Sequence, residues 1–154
     1  MYYVTKQMMR DHGYHRYEIS NYAKEGYECR HNKGYWRRTP YLGFGVGAAT
    51  LFEHTRYSNP SGMDEYKECF MEKYHGEELT LKDEMEEFMF LGLRMMEGIS
   101  KTDFKNAFDR EFDEIYGEVT KRFLEEGFLK SEDDRIALTD QGIDVSNMIF
   151  VEFM

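Results

Sequence analysis

The chain is 154 residues long, which gives room for one domain or two small ones, and 41% of it is hydrophobic, with 12 Tyr, 12 Phe and 11 Met. A core is affordable and disorder is excluded as a general state. The formal charge of −10 argues against nonspecific binding to nucleic acid or anionic membrane, since neutralising phosphates requires clustered Lys and Arg. No apolar run approaches the roughly 20 residues that span a bilayer.

The first residues, MYYVTKQMMRDHGY, lack the basic then apolar segments of a secretory signal, and two cysteines indicate no disulfide framework. A cytoplasmic, soluble protein is the expectation. Two cysteines, Cys29 and Cys69, are also too few for an iron–sulfur cluster, which takes three or more.

In chain order, residues 2–12 read as a helix with Tyr3 or Val4, Gln7 and Met8 along one side and Gly13 as its left-handed C-cap. Residues 14–23 alternate Tyr17, Ile19 and Asn21 as a strand does, and helix, Gly, strand is the repeat of a parallel α/β sheet. Residues 24–40 are polar, aromatic and interrupted by Gly26 and Gly34, which reads as a long and functional loop. Residues 41–51 alternate Gly43, Gly45 and Gly47 with Phe44, Val46 and Ala48. As a strand this would have one face of bare backbone, against which a ligand or a neighbouring element lies. RYSNP at 56–60 reads as turn chemistry, and residues 63–75 as a helix in which Cys69 is a buried structural thiol.

From Leu79 the texture changes. Thr80 and Asp83 form a capping-box start to a helix whose stripe is Met85, Phe88, Met89, Gly92, Leu93 and Met96, ending at Gly98. Ser100 and Asp103 start a second helix. A third, from about 112 to 126, turns Ile115, Tyr116, Val119, Phe123 and Leu124 inward. Residues 128–130 and 136–138 flank the acidic turn Glu132-Asp133-Asp134 as a hairpin, and Thr139 caps a last helix through Ile143, Met148, Ile149 and Phe153. This is the element order of a winged helix. Its would-be recognition helix sets Lys121 and Arg122 against Glu118, Glu125 and Glu126, and its wing tip is acidic, so a packing or interaction role is favoured over DNA reading.

Among candidate site residues, His31 stands out, with Asn32 beside it, Tyr35 and Trp36 following, and Cys29 two residues before. Imidazole is a good iron or zinc ligand, and aromatics at i+4 and i+5 would cover a flat apolar ligand. Spacing alone favours a loop histidine bonded to backbone, with Tyr35 and Trp36 docking the loop, since one His is a weak metal signal. The glycines of 43–47 lack the GxGxxG pattern of a dinucleotide site. His12, His15, His54 and His75 show no ligand spacing and read as surface or cap residues, and the acidic pairs around Glu84–Glu87 and Asp133–Asp134 as solvated faces.

The strings YEISNYA (17–23), GYECRHNKGYW (26–36), YLGFGVGAAT (41–50) and RYSN (56–59) resemble the oxygen-independent coproporphyrinogen III oxidase-like family of radical SAM proteins. The likeness continues through EEFMFLGLRMMEGIS (86–100), EVTKRFLEEGFL (118–129) and IALTDQGIDVSNMIFVEF (136–153). His31-Asn32-x-x-Tyr35-Trp36 is similar to the HNxxYW motif of the HemW-type haem-chaperone branch, which HemN-type oxidases generally lack. The resemblance therefore implies haem binding, with His31 as iron ligand or close support and Asn32, Tyr35 and Trp36 lining the site. The alternatives it leaves are part of a coproporphyrinogen III decarboxylase, or an interaction domain with no ligand of its own.

The resemblance implies an α+β chain: the edge of a radical SAM α/β barrel at 1–60, a connecting helix at 61–78, and a mostly helical, winged-helix-like C-terminal domain at 79–154. Gly43, Phe44, Gly45, Gly47 and Ala48 would form the rim of the barrel cavity. The family's CxxxCxxC motif is not in this sequence, so the 4Fe-4S cluster and S-adenosyl-L-methionine are expected only in a longer protein, and the chain is expected to be inactive by itself. Residues 14–51 would then lack sheet partners, and unpaired edges favour a homodimer or disorder of the N-terminal third.

Overall fold

The computed structural model describes residues 2–69 and 76–154. Helix α1 (Tyr2–Asp11) ends where Gly13 takes a φ of 78°, as the sequence predicts. Its expected apolar side, however, faces outward, with Tyr3, Val4 and Met8 all exposed. Polar contacts hold α1 in place instead: the Tyr3 hydroxyl donates to Asp144 at 2.7 Å, and Lys6 pairs with Asp140.

The expected strand over 14–23 is a short antiparallel hairpin, β1 (His15–Arg16) with β2 (Tyr22–Ala23). The chain reverses because the buried Glu18 accepts from the Ser20 N–H at 2.9 Å and from the Asn21 amide at 2.6 Å. Residues 17–19 then pair with 94–96, through Ile19 N–H to the Arg94 carbonyl and Met96 N–H to the Tyr17 carbonyl. All sheet pairing among the described residues is antiparallel, so the parallel α/β unit is not formed.

Two further corrections concern the middle of the chain. Helix α2 (Arg30–Trp36) occupies the centre of the expected loop. Residues 42–48 form a compact loop rather than a strand, and the strand starts at β3 (Ala49–Phe52). The turn assigned to RYSNP lies earlier: Glu53 and His54, both at positive φ, join β3 to β4 (Thr55–Ser58), as a two-residue hairpin requires. Helix α3 (Met63–Cys69) follows, and β5 (Glu77–Glu78) adds to β4. The Cys69 side chain, Phe70 and His75 lie outside the described residues, and with them the buried-thiol reading.

From residue 79 the predicted order holds. Helix α4 (Leu81–Gly92) carries the reciprocal Thr80–Asp83 capping box. Helix α5 (Lys101–Phe108) starts at Ser100, α6 (Phe112–Glu125) follows, and β7 (Leu129–Glu132) pairs with β8 (Arg135–Leu138). A strand missed in the sequence, β6 (Ile99–Ser100), pairs with β8 to give the sheet order β6-β8-β7 and completes a winged-helix arrangement. Gly92 lets β6 approach α4, since a Cβ there would lie 2.3 Å from Ile99 Cγ2. The last helix divides at Val145 into α7 (Asp140–Asp144) and α8 (Ser146–Val151).

The core belongs to this region. Phe104, completely buried, meets Phe88, Phe108, Phe112 and Tyr116 at ring-centre distances of 4.9 to 5.8 Å. Tyr116 and Phe123 both reach Phe153, which ties the chain's end into the same cluster. Burial raises the Tyr116 hydroxyl pKa to about 12. Ile115, expected inward, lies toward solvent.

Candidate functional site

Helix α2 has two sides with different work. His31 and Tyr35, one turn apart, share the outer side, where their rings meet edge to face at 4.5 Å. Tyr35 in turn meets Tyr41 at 4.6 Å, so three rings form an unbroken row. Both His31 and Tyr35 are exposed, and the His31 ring nitrogens meet no hydrogen-bond partner among the described residues. Burial and the neighbouring Tyr35 raise the Tyr41 hydroxyl above its ordinary pKa.

The inner side of α2 is an anchor. The Arg94 guanidinium lies 4.4 Å over the Trp36 ring, and Trp36 Nε1 is buried without a hydrogen-bond acceptor among the described residues. A cavity of about 550 Å³ opens here, lined by Trp36, Arg37, Phe88, Met95, Ile99 and Arg135 among others. His31 and Tyr35 do not line it. The sequence motif is thus split by the helix: Trp36 points into the body of the protein and His31 with Tyr35 away from it. Asn32 is half-buried between the two.

Past α2, Arg38 sits at φ 53°, a conformation that L residues adopt only when their surroundings compel it. Here they do. Arg38 Nε donates to Glu87 and Nη2 to Glu84, both at 3.0 Å, while Arg56 also pairs with Glu87 and His54 Nδ1 lies 2.9 Å from Glu84. Both carboxylates are buried, so the reading of Glu84–Glu87 as a solvated face is overturned. Burial pushes the Glu84 carboxyl up, but the hydrogen bonds from His54 and Arg38 outweigh it and hold the group below its ordinary value. This clamp joins the end of α2 and the β3–β4 hairpin to α4. Asp133 and Asp134 are exposed, as the sequence reading has it, but Asp134 also accepts from Ser100 and from the Thr102 hydroxyl and N–H; these bonds, the Ser100 one foremost, hold it low and tie the wing to the start of α5.

The glycine loop is held by internal hydrogen bonds. Asn59, buried, donates to the Gly45 carbonyl at 2.7 Å, while Thr50 Oγ1 accepts from the Gly43 N–H and the Tyr66 hydroxyl from the Gly45 N–H. A Cβ at Gly43 would fall 2.0 Å from the Ala49 carbonyl oxygen. The backbone of Gly43 is therefore turned onto its own scaffold, while Gly45 and Gly47 border open space and Phe44 projects outward, 84% exposed.

Cys29 precedes α2 as an exposed free thiol without a capping bond. His15, read as isolated, is 2.9 Å from Glu28 and 3.9 Å from Glu25. The ligating atoms of these three lie within 4.8 Å of one another. His12 caps α1 through its ring and the Met8 carbonyl, as expected of it.

The comparisons now add to this geometry. Residues 79–145 match the model of the HemN C-terminal domain. A haem chaperone HemW from Bacillus subtilis is 37% identical over 158 residues, spanning the whole of this chain and 42% of that protein. HemW from Lactococcus lactis is 35% identical, again over the whole chain. The chain belongs to the HemN/HemW family. A solved structure of coproporphyrinogen III oxidase HemN from Escherichia coli, described as a radical SAM enzyme, superposes with a TM-score of 0.73 over 99% of this chain at 17% identity. That likeness shows the fold. The chain corresponds to the C-terminal portion of the HemN/HemW proteins and spans about 40% of the length of those it matches.

No described helix is long and apolar enough to cross a membrane. Sequence reasoning missed Tyr41, Arg38, Arg56, Glu84 and Glu87 as parts of the site and its support. The signal for the clamp was present only as two glutamates among the apolar positions of α4.

Proposed function

We propose that α2 presents the haem-contacting face of a haem chaperone, with His31 as the candidate iron ligand and Tyr35 lying along the macrocycle. The observation that carries this reading is the exposed His31–Tyr35 pair, its imidazole free, on a helix fixed from behind by Trp36 and Arg38. Relatives named as haem chaperones that align with the whole chain support it.

Haem is here a cargo, and the residues fit one face of it. A neutral imidazole with an unengaged nitrogen is a good axial donor, and an edge-to-face aromatic row suits a flat apolar ring. Asn32 would support the histidine, and Trp36 would set the position of the helix rather than touch the ring. The chain offers a single wall, so a second wall would come from the radical SAM portion of longer relatives. Any 4Fe-4S cluster and S-adenosyl-L-methionine would be held there too, because Cys29 and Cys69 cannot supply three thiolates. On this reading the chain by itself is inactive as a radical SAM enzyme, works in the cytoplasm and binds no nucleic acid. Pairing of two copies would need a strand edge other than that of β3, whose outer side Tyr41 already bonds at Leu51.

The test is a haem titration of the full chain, followed by the Soret band. Wild type should give a saturable shift that His31→Ala abolishes and Trp36→Phe largely keeps. An identical titration in His31→Ala would overturn the assignment.

A further inference from the structure

A second cleft, unrelated to α2, lies between the N-terminal helix and the wing. It has a volume of about 500 Å³ and is lined by Lys6, Arg10, Arg16, Lys130, Tyr22 and Asp140, with Leu138 and Ile143 among its apolar residues. Four permanent cations thus face a single carboxylate, in a chain where 30 acidic residues outnumber 20 basic ones. Such a concentration is costly unless something offsets the mutual repulsion. Asp140 offsets part of it. Its carboxyl is held below the ordinary range first by the Lys6 hydrogen bond, against the opposing effect of burial, with Arg16 and Arg10 adding to the pull.

The remaining donors are not consumed internally. Arg16 directs Nε and Nη2 at the Tyr22 hydroxyl, at 2.9 and 2.6 Å, which fixes the guanidinium and leaves Nη1 for another acceptor. The Arg10 guanidinium meets no hydrogen-bond partner among the described residues. Among the described residues the Lys130 ammonium pairs only with the surface Glu132, at 2.9 Å. Two guanidinia and an ammonium around a partly apolar cleft match a ligand with two separated anionic groups. The volume is in the range of small-molecule sites.

We propose that this cleft binds a small polyanion, a diphosphate or a di- or tricarboxylate, through Arg10, Arg16 and Lys130. Asp140 competes for the same cations and tunes the affinity downward. Because α1 and β1 contribute Arg10 and Arg16 while the wing contributes Lys130, an occupied cleft ties the two regions of the chain together.

Isothermal titration of the full chain with pyrophosphate and with citrate, at low ionic strength, tests this and separates the two ligand chemistries. Saturable binding of at least one is expected, weakening as salt rises. Arg10→Gln, on an exposed side chain, should weaken binding about tenfold through loss of a charge-assisted bond. Asp140→Asn should tighten it, with circular dichroism confirming that both variants are folded. Absence of binding by both probes, or an affinity that neither substitution changes, would overturn the proposal.

Discussion

Residues 2–60 and residues 79–154 are held together by different physics. The second region buries a continuous cluster of aromatic and aliphatic side chains, from Met89 and Leu93 through Phe104, Phe112 and Phe123 to Ile149 and Phe153. The first contributes only Tyr17, Ala23 and Leu51 to the buried apolar residues and leaves Tyr3, Val4, Met8, Leu42 and Phe44 exposed. Directed bonds hold it instead: the Arg38–Glu84–Glu87–Arg56 clamp, Glu18 on its own turn, and Asn59 inside the glycine loop. An apolar core is non-directional and tolerates repacking, whereas a set of buried ionic bonds fixes one geometry and fails when one partner goes. The helix that carries His31 sits in the second kind of structure, where position is set by angle as well as contact.

That contrast is broken most severely by Phe104→Ala, which removes the centre of the aromatic cluster. It should cost about 3–5 kcal/mol in urea denaturation. Arg38→Ala, which leaves Glu87 to Arg56 alone and Glu84 to His54 alone, should cost about 2–3 kcal/mol and release α2 from α4. Faster amide exchange over residues 30–36, with the winged-helix core still protected, would report that release. Asn59→Ala should cost about 1–2 kcal/mol and loosen the loop over 42–48, read by protease susceptibility there.

Acid sharpens the same comparison. The folded-state pKa of Glu84 lies below the ordinary 4.5, so the unfolded chain binds its proton more readily. The stability this contributes is complete above that value and is lost as pH falls through the folded one. Chemical denaturation between about pH 5 and pH 3 should therefore show declining stability in wild type and a flatter profile in Arg38→Ala. The smallest effect belongs to His31→Ala: on an exposed ring, it should leave stability within about 0.5 kcal/mol of wild type while removing haem binding.

Much of the second region was legible in the sequence. Thr80 with Asp83, Ser100 with Asp103, and Thr139 announce helix starts through bonds to residues three positions on. The helical stripes repeat at the helical period, and the acidic turn marks the wing. The element missed there, β6, is two residues long and is a strand only because β8 lies beside it. In the first region the same rules misread three stretches. Gly34 passed for a breaker although α2 runs through it, the alternation at 14–23 passed for one strand, and the spaced glycines at 43–47 for another.

The sequence by itself determined the family, the winged-helix order and the HNxxYW residues, because caps, periods and motifs are written within a few neighbouring positions. Only the tertiary structure decided that His31 and Tyr35 face outward and Trp36 inward, and that Glu84 and Glu87 are buried counter-ions rather than a wetted face. It also decided that the glycine loop closes on Asn59. Each of these depends on a partner dozens of residues away or on which side of a helix meets its neighbour, and a charge or a glycine reads the same in either setting until that partner is in place.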